Sequence, residues 1–205
     1  MVETHPNARL EAFSDGVFAI AMTLLIIDIQ LPSSASIGSS AELWRALRHL
    51  MPAIFAFVMS FVILLIAWVN HRGALRLMSR SAPSFMYANG LLLLTIVFMP
   101  FPTALLGSFV LTDRAAPAVV LYDALLGVQA FTWLLLGTAA INNNLAIDLE
   151  AIATIRANRR NACYGIGLYG LLALAALWIP LVAAIVTAAS WVYWLMLGVR
   201  MKTPD

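Results

Sequence analysis

The segment Leu10-Glu-Ala-Phe13-Ser14-Asp15-Gly-Val-Phe-Ala-Ile20-Ala-Met-Thr23-Leu-Leu-Ile-Ile27-Asp28-Ile-Gln-Leu31 decides the fold. Between Gly16 and Ile27 it holds 12 residues without a charge, and Asp15 and Asp28 bracket that run 13 positions apart. A helix rises about 1.5 Å per residue, which separates the two acids by about 20 Å, less than the roughly 30 Å of bilayer hydrocarbon. If the segment crosses a membrane, at least one carboxylate must approach the low-dielectric region. A charge there is costly, so it is paired or faces water and marks a functional site by default.

The remainder of the chain says that it does cross. Of 205 residues, 62% are hydrophobic and 11% charged, against roughly 25% charged in a soluble domain. So few charges cannot cover a cytosolic surface, and so much apolar character excludes a disordered or nucleic-acid-coating chain. Cys163 is the one cysteine, which precludes an intrachain disulfide, and no Cys/His spacing fits a zinc or iron site. Residues 49–71, 81–112, 124–147 and 161–199 contain no Asp, Glu, Lys or Arg. The last is long enough for two helices, with a break at Trp178-Ile179-Pro180, because proline has no N–H to continue the ladder. With the segment from about Leu10 to Leu31, the expectation is an all-α polytopic membrane protein of six transmembrane helices in a single domain, 1–205.

Orientation follows from the basic residues. With the N-terminus in the cytoplasm, nine lie inside (Arg9, Arg72, Arg76, Arg80, Arg156, Arg159, Arg160, Arg200 and Lys202) and only Arg45, Arg48 and Arg114 lie outside. Six spans with both termini cytoplasmic are consistent with that bias. The serine-rich segment 32–40 is the expected flexible external loop, and Phe13-Ser14-Asp15 has no counterpart in the second half to suggest an inverted repeat. A cleaved secretory signal is disfavoured by Asp15, which sits between Arg9 and the apolar run. Ser14 and Asp15 capping a late-starting helix is the bland alternative, but it would leave too short a crossing and lacks the Glu or Gln of a capping box.

At 100° per residue, Gly16, Ile20, Thr23, Leu24, Ile27 and Leu31 share one side of the first helix, and Ser14, Asp15, Phe18, Met22, Leu25 and Ile29 the other. Gly16, Ala19 and Thr23 add a strip of small residues on which a second helix can approach. Asn70, His71 and Arg72 end the second span and Asn89 begins the third, all at the depth of Arg9, Ser14 and Asp15, so a hydrogen-bonded cluster is geometrically available. Neither a nucleophile–base constellation nor a phosphate-cradling glycine loop is present, so an enzyme is not expected.

Arg9, the Phe13-Ser14-Asp15 triplet and the Ile/Leu helix closed by Asp28 resemble the first-helix signature of the transmembrane protein 175 family, prokaryotic relatives of the lysosomal potassium channel. Trp68-Val-Asn70-His71-Arg72, Asn89 and Pro100-Phe-Pro102-Thr-Ala-Leu-Leu-Gly resemble the family's second and third helices, and the later helices are similar in hydropathy and length. The resemblance implies a potassium-preferring leak channel of four subunits in a bacterial inner membrane, its pore lined by the first helix and narrowed by apolar rings. Carried onto this chain, Ile20, Leu24 and Ile27 are the rings and Thr23 their polar neighbour. Arg9, Phe13, Ser14 and Asp15 then belong to a buried network, with Asn70, His71 and Asn89 as partners. The implied partners are three further copies of the chain, potassium ions and the bilayer, with no nucleic acid, cofactor or metal.

Two rivals come from other classes: a proton-coupled carrier that titrates Asp15 or Asp28, and a membrane scaffold whose polar cluster is structural. The charge bias itself is testable. A reporter active only outside the cytoplasm, fused after Asp205, is expected to stay silent; a signal from it would overturn the six-span topology and favour cleavage of the first helix.

Overall fold

The computed structural model describes residues 7–30, 33 and 37–200, the side chains of 197–200 excepted, and among these it is helical, with one isolated bridge between Met78 and Ala146. Helices run in the order α1 (Ala8–Leu24), α2 (Ser40–His49), α3 (Met51–Arg76), α4 (Pro83–Phe98), α5 (Pro100–Phe109), α6 (Ala115–Asn142), α7 (Leu149–Ala175) and α8 (Pro180–Arg200). Among the described residues, three stretches are long and apolar enough to cross a membrane: Met51–Arg76, Pro83–Phe109 and Ala115–Asn142. The six-span count rests on α1, α7 and α8 for the remainder. Pro180 starts α8 after the expected break. Leu31, Lys202 and, within the segment 32–40, residues 32 and 34–36 lie outside the described residues.

Several boundaries differ from expectation for identifiable reasons. The first helix stops at Leu24 rather than near Leu31, and the chain continues in tighter turns, with Ile27 N–H bonded to the Leu24 carbonyl and Ile29 N–H to that of Ile26, each at 3.1 Å. Ile26, Ile27 and Ile29 are β-branched, which costs χ1 freedom in a helix. The fourth span begins at Ala115, not Ala124, and so carries Asp123 inside α6, where Thr187 of α8 donates to it at 2.6 Å. A charge-free window cannot find a span whose one acid takes a hydrogen bond from a neighbouring helix. Likewise α7 begins at Leu149, capped by the Asp148 side chain on Ala151 N–H at 2.7 Å, and its first half holds Arg156, Arg159 and Arg160. The short helix α2 carries Glu42, Arg45 and Arg48, which hide it from a search for charge-free stretches, and is capped by Ser39, which accepts from Glu42 N–H at 3.2 Å.

Packing places α1 against α3 and α4. Phe18, Ala21 and Leu25 of α1 enter the main core with Leu64 and Ala67 of α3 and Leu93 and Ile96 of α4. Deeper in the bundle, Ser60 of α3 joins Thr103 of α5 at 2.7 Å and Tyr122 of α6 at 2.9 Å, so three helices meet at one hydroxyl. Pro100 and Pro102 withdraw donors from the stretch Pro83–Phe109, which is interrupted at Met99; the Thr103 hydroxyl donates a further bond to the Met99 carbonyl at 2.8 Å. Gly107 is needed there, since a Cβ would stand 2.8 Å from the Ala53 Cα of α3.

A clamp closes the end of the bundle where α1 begins. Ser79 N–H bonds the Leu145 carbonyl at 2.8 Å and Ile147 N–H the Leu77 carbonyl at 3.0 Å, which ties the turn after α3 to the turn after α6. The Asn7 side chain donates to the Met78 carbonyl at 3.3 Å. The start of α1 is thereby held beside the end of α3, and the two helices run antiparallel with a fixed register.

The candidate pore helix and its anchor

α1 has two faces that differ in every position described. Gly16, Ile20, Thr23 and Leu24, together with Ile27 in the turn that follows, are exposed in the single subunit, Ile20 at 62% and Ile27 at 67%. Ser14, Phe18 and Leu25 are buried, and Asp15, Met22 and Ile29 are half-buried. The Thr23 hydroxyl donates to the Ile20 carbonyl at 2.8 Å, which leaves its oxygen lone pairs on the open face.

The buried face is held by polar contacts at one depth. The Trp68 indole N–H of α3 donates to Asp15 Oδ1 at 2.7 Å. Asn89 of α4 donates through Nδ2 to the Ser14 hydroxyl at 3.2 Å, so its Oδ1 accepts, and it accepts from His71 Nε2 at 2.6 Å. His71, Asn89 and Ser14 thus form one polarised chain across α3, α4 and α1, all three fully or almost fully buried. The His71 ring packs on Phe18 at 5.7 Å between centroids and on Trp133 of α6 at 6.4 Å. One turn nearer the clamp, Glu11 pairs with Arg72 at 3.2 Å, and the Arg72 guanidinium lies 5.3 Å from the centre of the Trp68 ring. This pair is partly exposed, so its worth is small compared with the buried bonds.

Ser14, Asp15, His71 and Asn89 are therefore brought together, and three other expected members of the network are not. Phe13 is 64% exposed and Arg9 is exposed as well. Both follow Ile20 around α1, since 7 and 11 positions at 100° per residue return to within about 20° of it. They extend the open stripe toward the start of the helix. Asn70 points away from α1 into a cavity among α3, α6, α7 and α8, one residue's rotation from His71. In their place the network uses Trp68, Glu11 and Arg72. The signal for them is in the spacing: Glu11 and Asp15 are four apart on α1, Trp68 and Arg72 are four apart on α3, and two antiparallel helices pair such couples in reverse order. Asp28, the acid that closes the apolar run, is exposed beyond the end of α1. Among the described residues no group of three or more His, Cys, Asp or Glu is placed to hold a metal ion.

Comparison with known proteins converges on one family. Residues 9–100 match the family model described as endosomal/lysosomal potassium channel TMEM175. A potassium channel of Chamaesiphon minutus is 43% identical over 120 residues, which are 58% of this chain and 59% of that protein. A potassium channel of Streptomyces collinus is 39% identical over 133 residues, 62% of this chain and 63% of that one. The alignments thus span less than two thirds of either relative. In three dimensions the crystal structure of a lysosomal potassium-selective channel TMEM175 homolog from Chamaesiphon minutus superposes with a TM-score of 0.83 at 31% identity, over 94% of this chain and 97% of that one.

The two faces of α1 predict opposite responses to substitution. Trp68→Phe keeps the ring but strips the donor from Asp15, and is expected to lower subunit stability by about 1–3 kcal/mol. Phe13→Ala, on the open face, is expected to change it by less than about 0.5 kcal/mol. Thermal unfolding in detergent checks both, and equal losses would contradict the assignment of Phe13 to the open stripe.

Proposed function

The chain belongs to the TMEM175 family of integral membrane channels, and from that premise we propose that it is a potassium-preferring leak channel assembled from four copies, with α1 of each copy lining the pore. The observation that carries the proposal is the open stripe of α1. One helix cannot enclose an axial passage, while a stripe of Ile20, Leu24 and Ile27 left uncovered by its own subunit is what four copies around an axis require. Each layer then contributes a ring of four apolar side chains, with Thr23 oxygens between them.

Such a pore has no carbonyl cage, because the chain has no Thr-Val-Gly-Tyr-Gly segment. Its rings govern passage by wetting: a narrow apolar constriction expels water and closes, and a wider one stays filled and conducts. The anchor matters because the rings must hold their radius. Bonds from Trp68 and Asn89 to adjacent residues Asp15 and Ser14 fix the rotation of α1. The alternative reading is a proton-coupled carrier working through Asp15, which the Trp68 indole engages, or Asp28, which is exposed beyond the end of α1. Both termini are assigned to the cytoplasm, on the inner side of a bacterial membrane, from the nine-to-three distribution of basic residues.

Ile20→Asn or Ile27→Asn places four amides where the wild-type ring offers no hydrogen-bond partner, so conduction is expected to rise and discrimination between potassium and sodium to fall. Leu25→Asn instead buries an amide in the subunit core and is expected to lower stability by about 1–3 kcal/mol without widening the passage. Currents from planar bilayers decide between the faces. Loss of selectivity in Leu25→Asn with none in Ile20→Asn or Ile27→Asn would put the pore on the opposite side of α1.

A further inference from the structure

The pore reading makes no use of α2, a helix of 10 residues that buries none of them in its own subunit. Its start is closed on itself: the Ser39 side chain accepts from Glu42 N–H at 3.2 Å, and Glu42 Oε2 accepts from Gly38 N–H at 2.6 Å. A reciprocal cap of this kind satisfies the first donors. Yet so short a helix is marginal in water on its own, because nucleation outweighs the few hydrogen bonds that follow. A surface outside the subunit has to supply the burial.

The sequence of α2 describes that surface. At 100° per residue Leu43, Ala46, Leu47 and the capping Leu50 share one side, while Ala41, Glu42, Arg45 and His49 share the other. Trp44 and Arg48 stand next to each other at one border between the two. Leu43, Trp44 and Leu47 are exposed, Trp44 at 65%, and among the described residues Arg45 and Arg48 make no ion pair. Depth then selects the partner. Leu50 caps both α2 and α3, and Pro52 at the start of α3 supplies no N–H, so a rung of the ladder is missing where the two helices join. Since α3 is long and apolar enough to span, α2 is tied to the end of a span, at the level of the lipid headgroups. The apolar side also runs on without a break: Met51, Phe55 and Val58 follow Leu47 at helical spacing and are exposed.

We propose that α2 is an interfacial helix that lies in the plane of the bilayer surface and binds lipid. Leu43 and Leu47 enter the upper acyl region, Trp44 sits at the headgroup boundary, and Arg45 and Arg48 meet lipid phosphates. Leucine and tryptophan on one face with basic residues on the other is the pattern that settles at this depth. A second copy of the chain could cover the leucines, but it gives the basic face nothing to meet. The placement rests on α3 as a span and is independent of where ions pass.

Nitroxide accessibility tests it on the full-length protein in vesicles of phosphatidylcholine and phosphatidylglycerol. In a Cys163→Ser background, single labelled cysteines replace Leu43 and Leu47 on one face and Ala41 and Arg45 on the other. Collision with dissolved oxygen, which concentrates in lipid, is compared with collision with a neutral, water-soluble nickel chelate. Oxygen is expected to dominate at Leu43→Cys and Leu47→Cys and the chelate at Ala41→Cys and Arg45→Cys, a reversal across about half a turn of helix. Exclusion of both reagents from Leu43→Cys and Leu47→Cys would mean that protein, such as a second copy, covers the face, and would overturn the proposal. A ratio that does not reverse, with one reagent dominant at all four positions, would overturn it as well. Trp44 gives a second readout that leaves the leucines in place. Vesicles of lipids brominated near the headgroup are expected to quench a larger fraction of the tryptophan fluorescence in the wild type than in Trp44→Phe, and equal fractions would overturn the proposal. Because neither readout involves current, both stand or fall separately from the channel assignment.

Discussion

The bond from the Trp68 indole to Asp15, with the Asn89 bond to Ser14 beside it, is the constraint on which the rest of the arrangement depends. Beyond its first two turns α1 is apolar on every side, so burial alone would not select one rotation about its axis. Adjacent polar residues with fixed partners on two different helices do select one. Once Ser14 faces α4 and Asp15 faces α3, the 100° step leaves Ile20, Thr23 and Leu24 no direction but outward.

The partners are in turn fixed at both ends. His71 holds the Asn89 amide oxygen and is itself wedged between Phe18 and Trp133, which links α6 to α1 through one imidazole. The clamp between the turns at Ser79 and Leu145 prevents α3 from sliding along α6, and Asn7 ties the start of α1 to the same place. In hydrocarbon, helices gain little from apolar burial against one another, so packing and interhelical polar bonds carry an unusual share of the specificity. Asp123 shows the same solution in the second half of the chain, where Thr187 meets a carboxyl group that a charge-free window excludes from a span.

What the sequence makes legible is what depends on period and charge. The membrane class follows from composition, and the two faces of α1 from a 3.6-residue repeat anchored on Ser14 and Asp15. Partners across helices are less legible. His71 and Asn70 are neighbours of similar polarity at the end of one span, and only the rotation of α3 sends the first to α1 and the second to the cavity. Phe13 is part of the Phe13-Ser14-Asp15 triplet and Arg9 lies four residues before it, yet both belong to the other face in space, which the same rotation arithmetic assigns once it is extended below Ser14. Trp68 reads as an apolar residue until its N–H is counted; an indole four residues from Arg72, opposite two acids four residues apart, was the available clue. Helix ends were hidden where propensity changes within an apolar run, as at Ile26 and Ile27, or where an acid inside a span is bonded by a residue distant in sequence, as at Asp123.

The central claim is that the face of α1 turned away from α3 and α4 is the one that meets permeating ions. Accessibility from water tests it most directly. In a Cys163→Ser background, single cysteines replace Gly16, Ile20 and Thr23 on one face and Phe18 and Met22 on the other, and a charged, water-soluble methanethiosulfonate is applied while potassium current is recorded. The account predicts rapid block in Gly16→Cys, Ile20→Cys and Thr23→Cys and none in Phe18→Cys or Met22→Cys. Block confined to Phe18→Cys and Met22→Cys would contradict it.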